Sequence, residues 1–304
     1  MLGSESKAAD YPPFKVGLST QVVAAGFELI PKVPGDKNNK LTFRPAQSNY
    51  VGLILGYKWI AGTLAFSVPA SSKVRDVEGV SNYQDYRLSY YLKKFGFEAV
   101  YNRFKGYVLE NSSVLSAESL GGAPLYRLPD LESMGYGFNL IFTGDPKSYS
   151  LSAAIDQSEI QKKSGGSTVI LVSSRFQNIQ NGVPFVPVEK RPDFGLDQNV
   201  SAFRSMNVSG SWGYAYNWVP GNFYLSGLGA LGPGYQTTRY DINGVESRKS
   251  STVLNLHIRL GLGWNSKRAF FTTNVGFDRI GFGTESVEVG GLFSIGTIAA
   301  GVRF

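Results

Sequence analysis

Cysteine is missing from this 304-residue chain, and histidine occurs once, as His257. The missing thiols exclude disulfide scaffolds, thiolate metal sites and cysteine catalysis, and a single imidazole excludes multi-histidine metal sites. Charge is also scarce, because Asp, Glu, Lys and Arg make up 17% of the residues, against about 25% in a typical soluble domain. No run of about 18 uncharged apolar residues is present, which excludes transmembrane helices. The sequence therefore predicts no metal site and no cofactor.

Glycine and aromatic residues are abundant instead, with 36 Gly, 20 Phe and 17 Tyr, and 30 basic against 23 acidic residues leave a net charge of +7. The basic residues form no run, which argues against a nucleic-acid partner. The dominant pattern is a period-two alternation, clearest in 254–264. Successive side chains of a strand point to opposite faces, so this segment predicts a strand with one apolar face. That face carries Leu254, Leu256, Ile258, Leu260, Leu262 and Trp264, opposite Asn255, His257, Arg259, Gly261 and Gly263.

Thirteen segments are candidate strands, and a bacterial single-chain transmembrane barrel needs an even number. We therefore expect 12 strands, with one spurious segment, or 14, with a strand missed within 179–203. The candidates are 15–30, 41–57, 60–68, 84–94, 96–108, 133–143, 148–158, 167–178, 203–218, 222–238, 250–265, 268–279 and 288–304.

Turn residues separate these segments by connections of two sizes, which is typical of an antiparallel up-and-down meander; in an outer-membrane barrel we expect the short turns to be periplasmic and the long loops extracellular. Short turns are expected at 144–147, 219–222 and 265–268. Long loops are expected at 69–83, 110–131, 180–200 and 239–250. The chain is expected to form an N-terminal tail, 1–14, and one barrel domain, 15–304.

The direction of the apolar faces separates two fold classes. In a soluble sandwich or barrel these faces meet inside, whereas in an outer-membrane barrel they face lipid and the polar faces line the lumen. The polar faces here are poor in charge and rich in Gly, Ser, Ala and Asn, which favours a crowded lumen. The expected lumen-lining residues are Lys58, Arg87, Lys93, Glu98, Asp156, Asn255, His257, Arg259 and Asp278.

Aromatic side chains collect near the ends of the predicted strands, beside the short turns. Trp and Tyr favour the membrane–water interface because one end of the ring system is apolar and the other is polar. The expected interface residues are Tyr57, Trp59, Phe142, Tyr216, Trp218 and Trp264.

The chain ends in an alternating strand with an aromatic last residue, in which Ile298, Ala300, Val302 and Phe304 share one face. This segment resembles the C-terminal recognition strand of bacterial outer-membrane proteins. The resemblance implies that these four residues are an assembly signal and that the barrel-assembly machinery is a partner.

Several local strings resemble a bacterial family known as a domain of unknown function and associated with predicted outer-membrane surface barrels. They are LTFRP at 41–45, FGFE at 95–98, KGYVLE at 105–110, YRLPDL at 126–131 and QSEIQKKSGGS at 157–167. The fourth string carries Leu128 where the family pattern has Arg. The resemblance implies the fold and the compartment, and it brings no catalytic residues.

No motif points to enzymatic chemistry. The GxGxxG string at 227–232 is followed by Pro233 and Gly234 instead of a helix start, so it does not predict a nucleotide site. Barrel hydrolases often place a serine two residues after the histidine, but Arg259 occupies that position after His257. We expect no catalytic residue.

These patterns together predict an all-β, antiparallel, up-and-down barrel in the outer membrane, in contact with membrane lipid and lipopolysaccharide. Its expected function is a narrow passive channel, with anion preference set by inward basic residues, or a surface scaffold. Two alternatives stay open: a barrel-embedded hydrolase of lipid or peptide that uses His257, and a soluble lipocalin-like or sandwich β binder.

Overall fold

The computed structural model describes residues 12–32, 39–46 and 49–304, and most of the expected tail, 1–14, lies outside them. Within this part of the chain, no helix has the length and apolar character needed to cross a membrane. The strands are β1 (Phe14–Pro31), β2 (Leu41–Pro45), β3 (Asn49–Tyr57), β4 (Ile60–Ser67), β5 (Asn82–Tyr91), β6 (Phe95–Leu109), β7 (Arg127–Thr143), β8 (Gly165–Gln180), β9 (Val200–Trp218), β10 (Phe223–Ile242), β11 (Val245–Asn265), β12 (Ala269–Gly283) and β13 (Val287–Arg303).

The strands form one antiparallel sheet that closes on itself, because β13 pairs with β1 along its whole length. The start of β1 and the end of β13 lie at one rim, where the Phe14 and Phe304 rings stack with centroids 5.9 Å apart. We call this rim the termini end and the opposite rim the loop end. Closure satisfies the backbone groups that an open sheet would leave unpaired at its edges.

One wall position is shared by two short strands. β3 pairs with the first half of β1, and β2 pairs with β1 near its loop end. β2 also pairs with β6, so at the loop end it connects β1 to β6 directly, beyond the ends of the short strands β4 and β5. Among the described residues, twelve strands, β1 and β3 to β13, therefore surround the termini end. The prediction of an all-β barrel with 12 strands is confirmed.

The spurious candidate strand is 148–158, which forms a short helix and its flanking turns. Helix α3 (Leu151–Ile155) starts at Ser150, whose hydroxyl accepts a hydrogen bond from the Ala153 amide. The additional strand considered within 179–203 is also absent. Between the end of β8 and the start of β9, this range holds a 3₁₀ segment, Val188–Asp197, instead. The expected long loop at 239–250 is wrong as well, because β10 and β11 continue to a tight turn at Asn243 and Gly244.

Loop-end connections include helices α1 (Ser72–Glu78) and α2 (Ala117–Leu120) and a 3₁₀ turn, Ser112–Val114. The short turn expected at 144–147 is instead the start of a segment, 144–164, that joins β7 to β8 at the termini end. Each end of the barrel therefore carries at least one long connection.

The apolar faces point outward, as the alternation predicts for a lipid-facing barrel. In β11, Leu254, Leu256, Leu260 and Leu262 are 68%, 44%, 51% and 50% exposed, whereas Gly261 and Gly263 are buried inside. The same arrangement holds around the wall, including Val51, Tyr86, Phe138, Ile170 and Trp212. An exposed apolar belt of this extent is typical of proteins that face hydrocarbon.

Candidate functional site: the lumen

The lumen at the loop end is filled by an apolar cluster, which we call the loop-end plug. Inward-facing wall residues such as Phe43, Tyr50, Phe104 and Phe203 are fully buried in it. The Tyr83 ring packs between those of Tyr50 and Phe104, with centroid distances of 4.0 Å to Tyr50 and 4.5 Å to Phe104. At this level the inner face of the wall is therefore apolar, whereas outward neighbours such as Arg103 and Arg204 carry charge.

The connection between β8 and β9, residues 181–199, supplies the centre of the loop-end plug. Phe185 and Phe194 are fully buried, and the Phe185 ring stacks on Phe203 with centroids 5.4 Å apart. The Phe185 amide donates to the Val200 carbonyl at 2.9 Å, which fixes the segment to the start of β9. The loop therefore enters the barrel and stays inside it by apolar packing.

A second plug, formed by residues 144–164, fills the termini end. Leu151, Ala153 and Ala154 are buried inside the wall. The Lys15 ammonium donates to the Asp156 carbonyl oxygen and, at 2.9 Å, to the Ser158 hydroxyl. We call this segment the termini-end plug.

The final strand also holds the termini-end plug. Arg303 donates to the Gln157 carbonyl oxygen and, at 2.7 Å, to the Asn265 amide oxygen. Asn265 in turn donates to the Gln157 side-chain oxygen at 2.8 Å. Charged and amide side chains at the ends of the wall strands therefore form the dock for this segment.

Between the two plugs lies a chamber of about 270 Å³, whose lining combines charged and polar side chains with apolar ones such as Tyr91 and Leu228. Arg259 makes a two-pronged contact with Glu98, with N–O distances of 2.5 Å and 2.6 Å. Glu98 also accepts from Tyr91 at 2.5 Å and from Asn139 at 2.9 Å. This carboxylate therefore links β5, β6, β7 and β11 across the lumen.

The chamber charges are balanced. Arg87 pairs with Asp85 at 2.6 Å, and the side chain of Arg87 is 30% exposed although it lies inside the wall. This exposed area faces the chamber, and Arg259 has the same exposure for the same reason. The four basic groups and their four carboxylate partners are Lys15–Asp156, Arg87–Asp85, Arg175–Asp278 and Arg259–Glu98.

His257 faces Asp278 across the pair β11–β12, with 3.1 Å between Nδ1 and the carboxylate oxygen. Asp278 also accepts from Arg175 at 2.8 Å. The other ring nitrogen, Nε2, is buried and has no hydrogen-bond partner in the described part of the chain. No hydroxyl group therefore completes a nucleophilic triad with His257 among these residues.

Seven of the nine expected lumen residues lie inside the barrel. They are Arg87, Glu98, Asp156, Asn255, His257, Arg259 and Asp278. The other two expectations are wrong, because Lys58 and Lys93 lie exposed in the turns that end β3 and β5. The Lys58 ammonium is 5.2 Å from the centre of the Tyr57 ring and 5.5 Å from that of Trp59, outside the wall.

The expected interface aromatics lie together in a band at the termini end. Tyr57, Phe142, Tyr216 and Trp218 stand near the ends of their strands and are 44%, 44%, 45% and 55% exposed. Trp59 in the adjoining turn is 43% exposed. Trp264 lies in the same band and is half-buried.

The last strand has the expected orientation, since Ile298, Val302 and Phe304 point outward with exposures of 47%, 53% and 64%. Ala300 is also exposed on this face, and Arg303 is buried on the other. The role of the outward face as an assembly signal stays a prediction.

Two loop-end connections are latched together by a carboxylate. Glu189 accepts from the Ser119 hydroxyl at 2.6 Å and from the amide and hydroxyl of Ser116 at 3.0 Å. The hydrogen bond from Ser119, followed by those from Ser116, lowers the pKa of Glu189 below its ordinary value. The carboxylate therefore ties the segment that fills the barrel to the start of α2.

Comparison with known proteins gives one family and several solved structures. The family described as "Domain of unknown function (DUF4421)" matches residues 11–304. No curated protein matches the chain.

The solved structures that resemble this chain do so at low sequence identity. The outer membrane protease OmpT of Escherichia coli is 7% identical, with 99% of this chain and 100% of that chain covered and a TM-score of 0.40. An outer membrane channel of Pseudomonas putida F1 is 11% identical, with full coverage of both chains and a TM-score of 0.38. The toluene transporter TodX of P. putida is 12% identical, with 96% and 90% covered and a TM-score of 0.31.

Proposed function

We propose that this chain, which belongs to the DUF4421 family of domains of unknown function, is an integral outer-membrane barrel that is closed along its axis. Its role is that of a membrane-embedded scaffold for the structures at its loop end. The observation that carries this proposal is the presence of two plugs, one of apolar side chains at the loop end and one of chain segment 144–164 at the termini end.

The membrane location is supported by the outer surface. Wall residues such as Leu18, Trp212, Phe223 and Leu254 are 69%, 66%, 63% and 68% exposed. In water each would cost roughly 1–2 kcal/mol of unrealised burial, and the cost would be repeated around the wall. Hydrocarbon removes this cost, so the full chain should require detergent for extraction and should float with lipid vesicles.

An open, anion-preferring pore is not part of the proposal, because the balanced chamber gives no excess of positive charge. Lys58 and Lys93, on which that preference partly depended, lie outside the lumen. Arg87 and Arg259 each have a carboxylate within 2.6 Å. A ring of charge selects ions only where the charge is uncompensated along an open path.

The test is conductance across a planar lipid bilayer by the purified full chain, after flotation with vesicles has shown insertion. We expect no stable conductance steps. A variant in which residues 148–163 are replaced by a short Gly-Ser turn should also stay closed, because the loop-end plug still fills the other half of the lumen.

Stable steps from the unaltered protein would refute the closed scaffold and favour a passive channel. Steps from the shortened variant alone would show that the loop-end plug does not seal the lumen. Failure to float would refute the membrane location and would restore the soluble binder.

A further inference from the structure

Three arginines form a row on the outer surface of the barrel near the loop end. Arg239 on β10 lies directly opposite Arg204 on β9 and Arg248 on β11 in the sheet register. The side chains of Arg204 and Arg239 are 52% and 53% exposed, and Arg248 is exposed. We call these three residues the arginine row.

The arginine row is short of negative charge. Glu246 is shared between Arg204 and Arg239, with N–O distances of 3.3 Å and 3.4 Å. Within the described residues no carboxylate lies at ion-pair distance from Arg248. Like charges directly opposite in a sheet destabilise it, so an external anion bound at this row would stabilise the wall.

The apolar belt begins immediately below the arginine row on β9. The next outward residues are Met206 and Val208, which are 53% and 46% exposed. One outward step is two residues, or about 7 Å along a strand. On β10 and β11 the next outward residues are Thr237 and Ser250, whose hydroxyl groups lie 3.1 Å apart.

A row of aromatic rings leads to the same position from the other side. Tyr101, Tyr136 and Phe176 contact one another on the outer face, with centroids 5.1 Å and 6.1 Å apart. Phe176 lies opposite Met206 in the register. The arginine row therefore lies one step beyond a row of outward aromatic rings, of which Tyr101 and Tyr136 are of the type enriched at the membrane–water interface.

We propose that the arginine row is a binding site for the phosphate groups of an outer-leaflet lipid such as lipid A. Guanidinium groups match phosphate geometry with paired N–H donors, and the hydroxyls of Thr237 and Ser250 lie one outward step below them. The acyl chains then lie along Met206, Val208 and the belt below. This inference rests on the proposed membrane location.

The test uses the full chain in neutral detergent, titrated with diphosphoryl lipid A and followed by native mass spectrometry. The variant carries Arg204→Gln, Arg239→Gln and Arg248→Gln together. The matched control is Arg103→Gln, which removes a charge from the same register row on β6, where Arg103 has its own carboxylate, Glu132, at 2.8 Å.

We expect the triple variant to bind diphosphoryl lipid A at least tenfold more weakly than the unaltered protein, and the control to bind within about twofold of it. The same lipid stripped of its phosphates should bind all three proteins equally weakly. Inorganic phosphate at equal concentration should not compete, since it lacks the acyl chains.

Equal affinity of the triple variant and the control would overturn the proposal, and so would equal binding of the phosphate-free lipid. Competition by inorganic phosphate would show a soluble-anion site instead. If the triple variant loses the heat-modifiable gel mobility of a folded barrel, Arg248→Gln alone is used, with an expected loss of about threefold. Flotation with vesicles is scored separately, so failure of the membrane location is distinguished from failure of lipid binding.

Discussion

Replacement of Phe185 by alanine should release the loop-end plug without unfolding the wall. The ring is fully buried, stacks on Phe203 and meets Phe27 edge-on with centroids 6.1 Å apart. It belongs to the connection between β8 and β9, so its contacts hold a segment that has no sheet ladder of its own.

The magnitude follows from the size of the ring and its burial. Removal of a buried Phe side chain costs roughly 3–5 kcal/mol. Because Phe185 holds the segment in the lumen, this cost destabilises the docked segment relative to the released one. At 1.4 kcal/mol for each factor of ten, opening should increase by roughly two to three and a half powers of ten.

Hydrogen exchange of the folded protein in micelles measures this opening. The reporter is the amide of residue 185, which donates to the Val200 carbonyl oxygen at 2.9 Å in the docked segment. The matched control is Val183→Ala in the same segment, where the side chain is 60% exposed and the expected change is within about 0.5 kcal/mol. Equal exchange in the two variants would refute the conclusion that apolar packing holds the plug.

Two further predictions concern charge. Glu98→Gln removes the counter-charge of Arg259 and should lower the free energy of unfolding in micelles by roughly 1–3 kcal/mol. The loss is smaller than for a fully desolvated pair because Arg259 faces the chamber. As a control, Asp130→Asn at the exposed pair with Lys105, where the carboxylate is 75% exposed, should change this free energy by less than about 1 kcal/mol. Because its folded-state pKa is lowered, the Glu189 latch is complete above the ordinary value of 4.5 and is lost as the pH falls below it. Hydrogen exchange of the Ser116 amide, corrected for its intrinsic pH dependence, should therefore become faster as the pH falls below 4.5. Glu189→Gln should weaken the protection of the same amide at neutral pH. Unchanged protection in either experiment would contradict the latch.

The outer wall could be predicted from the sequence because its constraint is local and periodic. Every second residue of a strand faces the same medium. The apolar residues Leu254, Leu256 and Leu262 therefore indicate an apolar surrounding on one face of β11, and no distant residue is needed to infer it. Their direction, outward or inward, is not contained in the alternation itself. It followed from the composition of the opposite face, since Gly261 and Gly263 leave room inside a crowded barrel.

The plugs could not be predicted in the same way. Tyr149, Leu151, Ala153 and Ile155 alternate like a strand, but a five-residue helix buried inside a barrel also needs apolar residues on most sides. Period alone does not separate the two in so short a segment. Phe185 and Phe194 stand in a segment with three prolines, 181–199, which has the composition of an exposed loop, and only the inward-facing rings of distant strands show why it is buried.

Charge preference in the lumen depends on pairs that are far apart in sequence. Arg259 and Glu98 are separated by 161 positions and come together only when β6 and β11 face each other across the closed wall. A strand-by-strand list of inward basic residues counts Arg259 as a free positive charge, whereas in the folded barrel its field is cancelled by a carboxylate 2.5 Å away. On the outer wall, adjacent strands bring Arg204, Arg239 and Arg248 into one row, in which Arg204 and Arg239 share a single glutamate. Closure of the barrel therefore pairs the charges of the chamber, whereas three arginines of neighbouring strands on the outer wall have one glutamate between them.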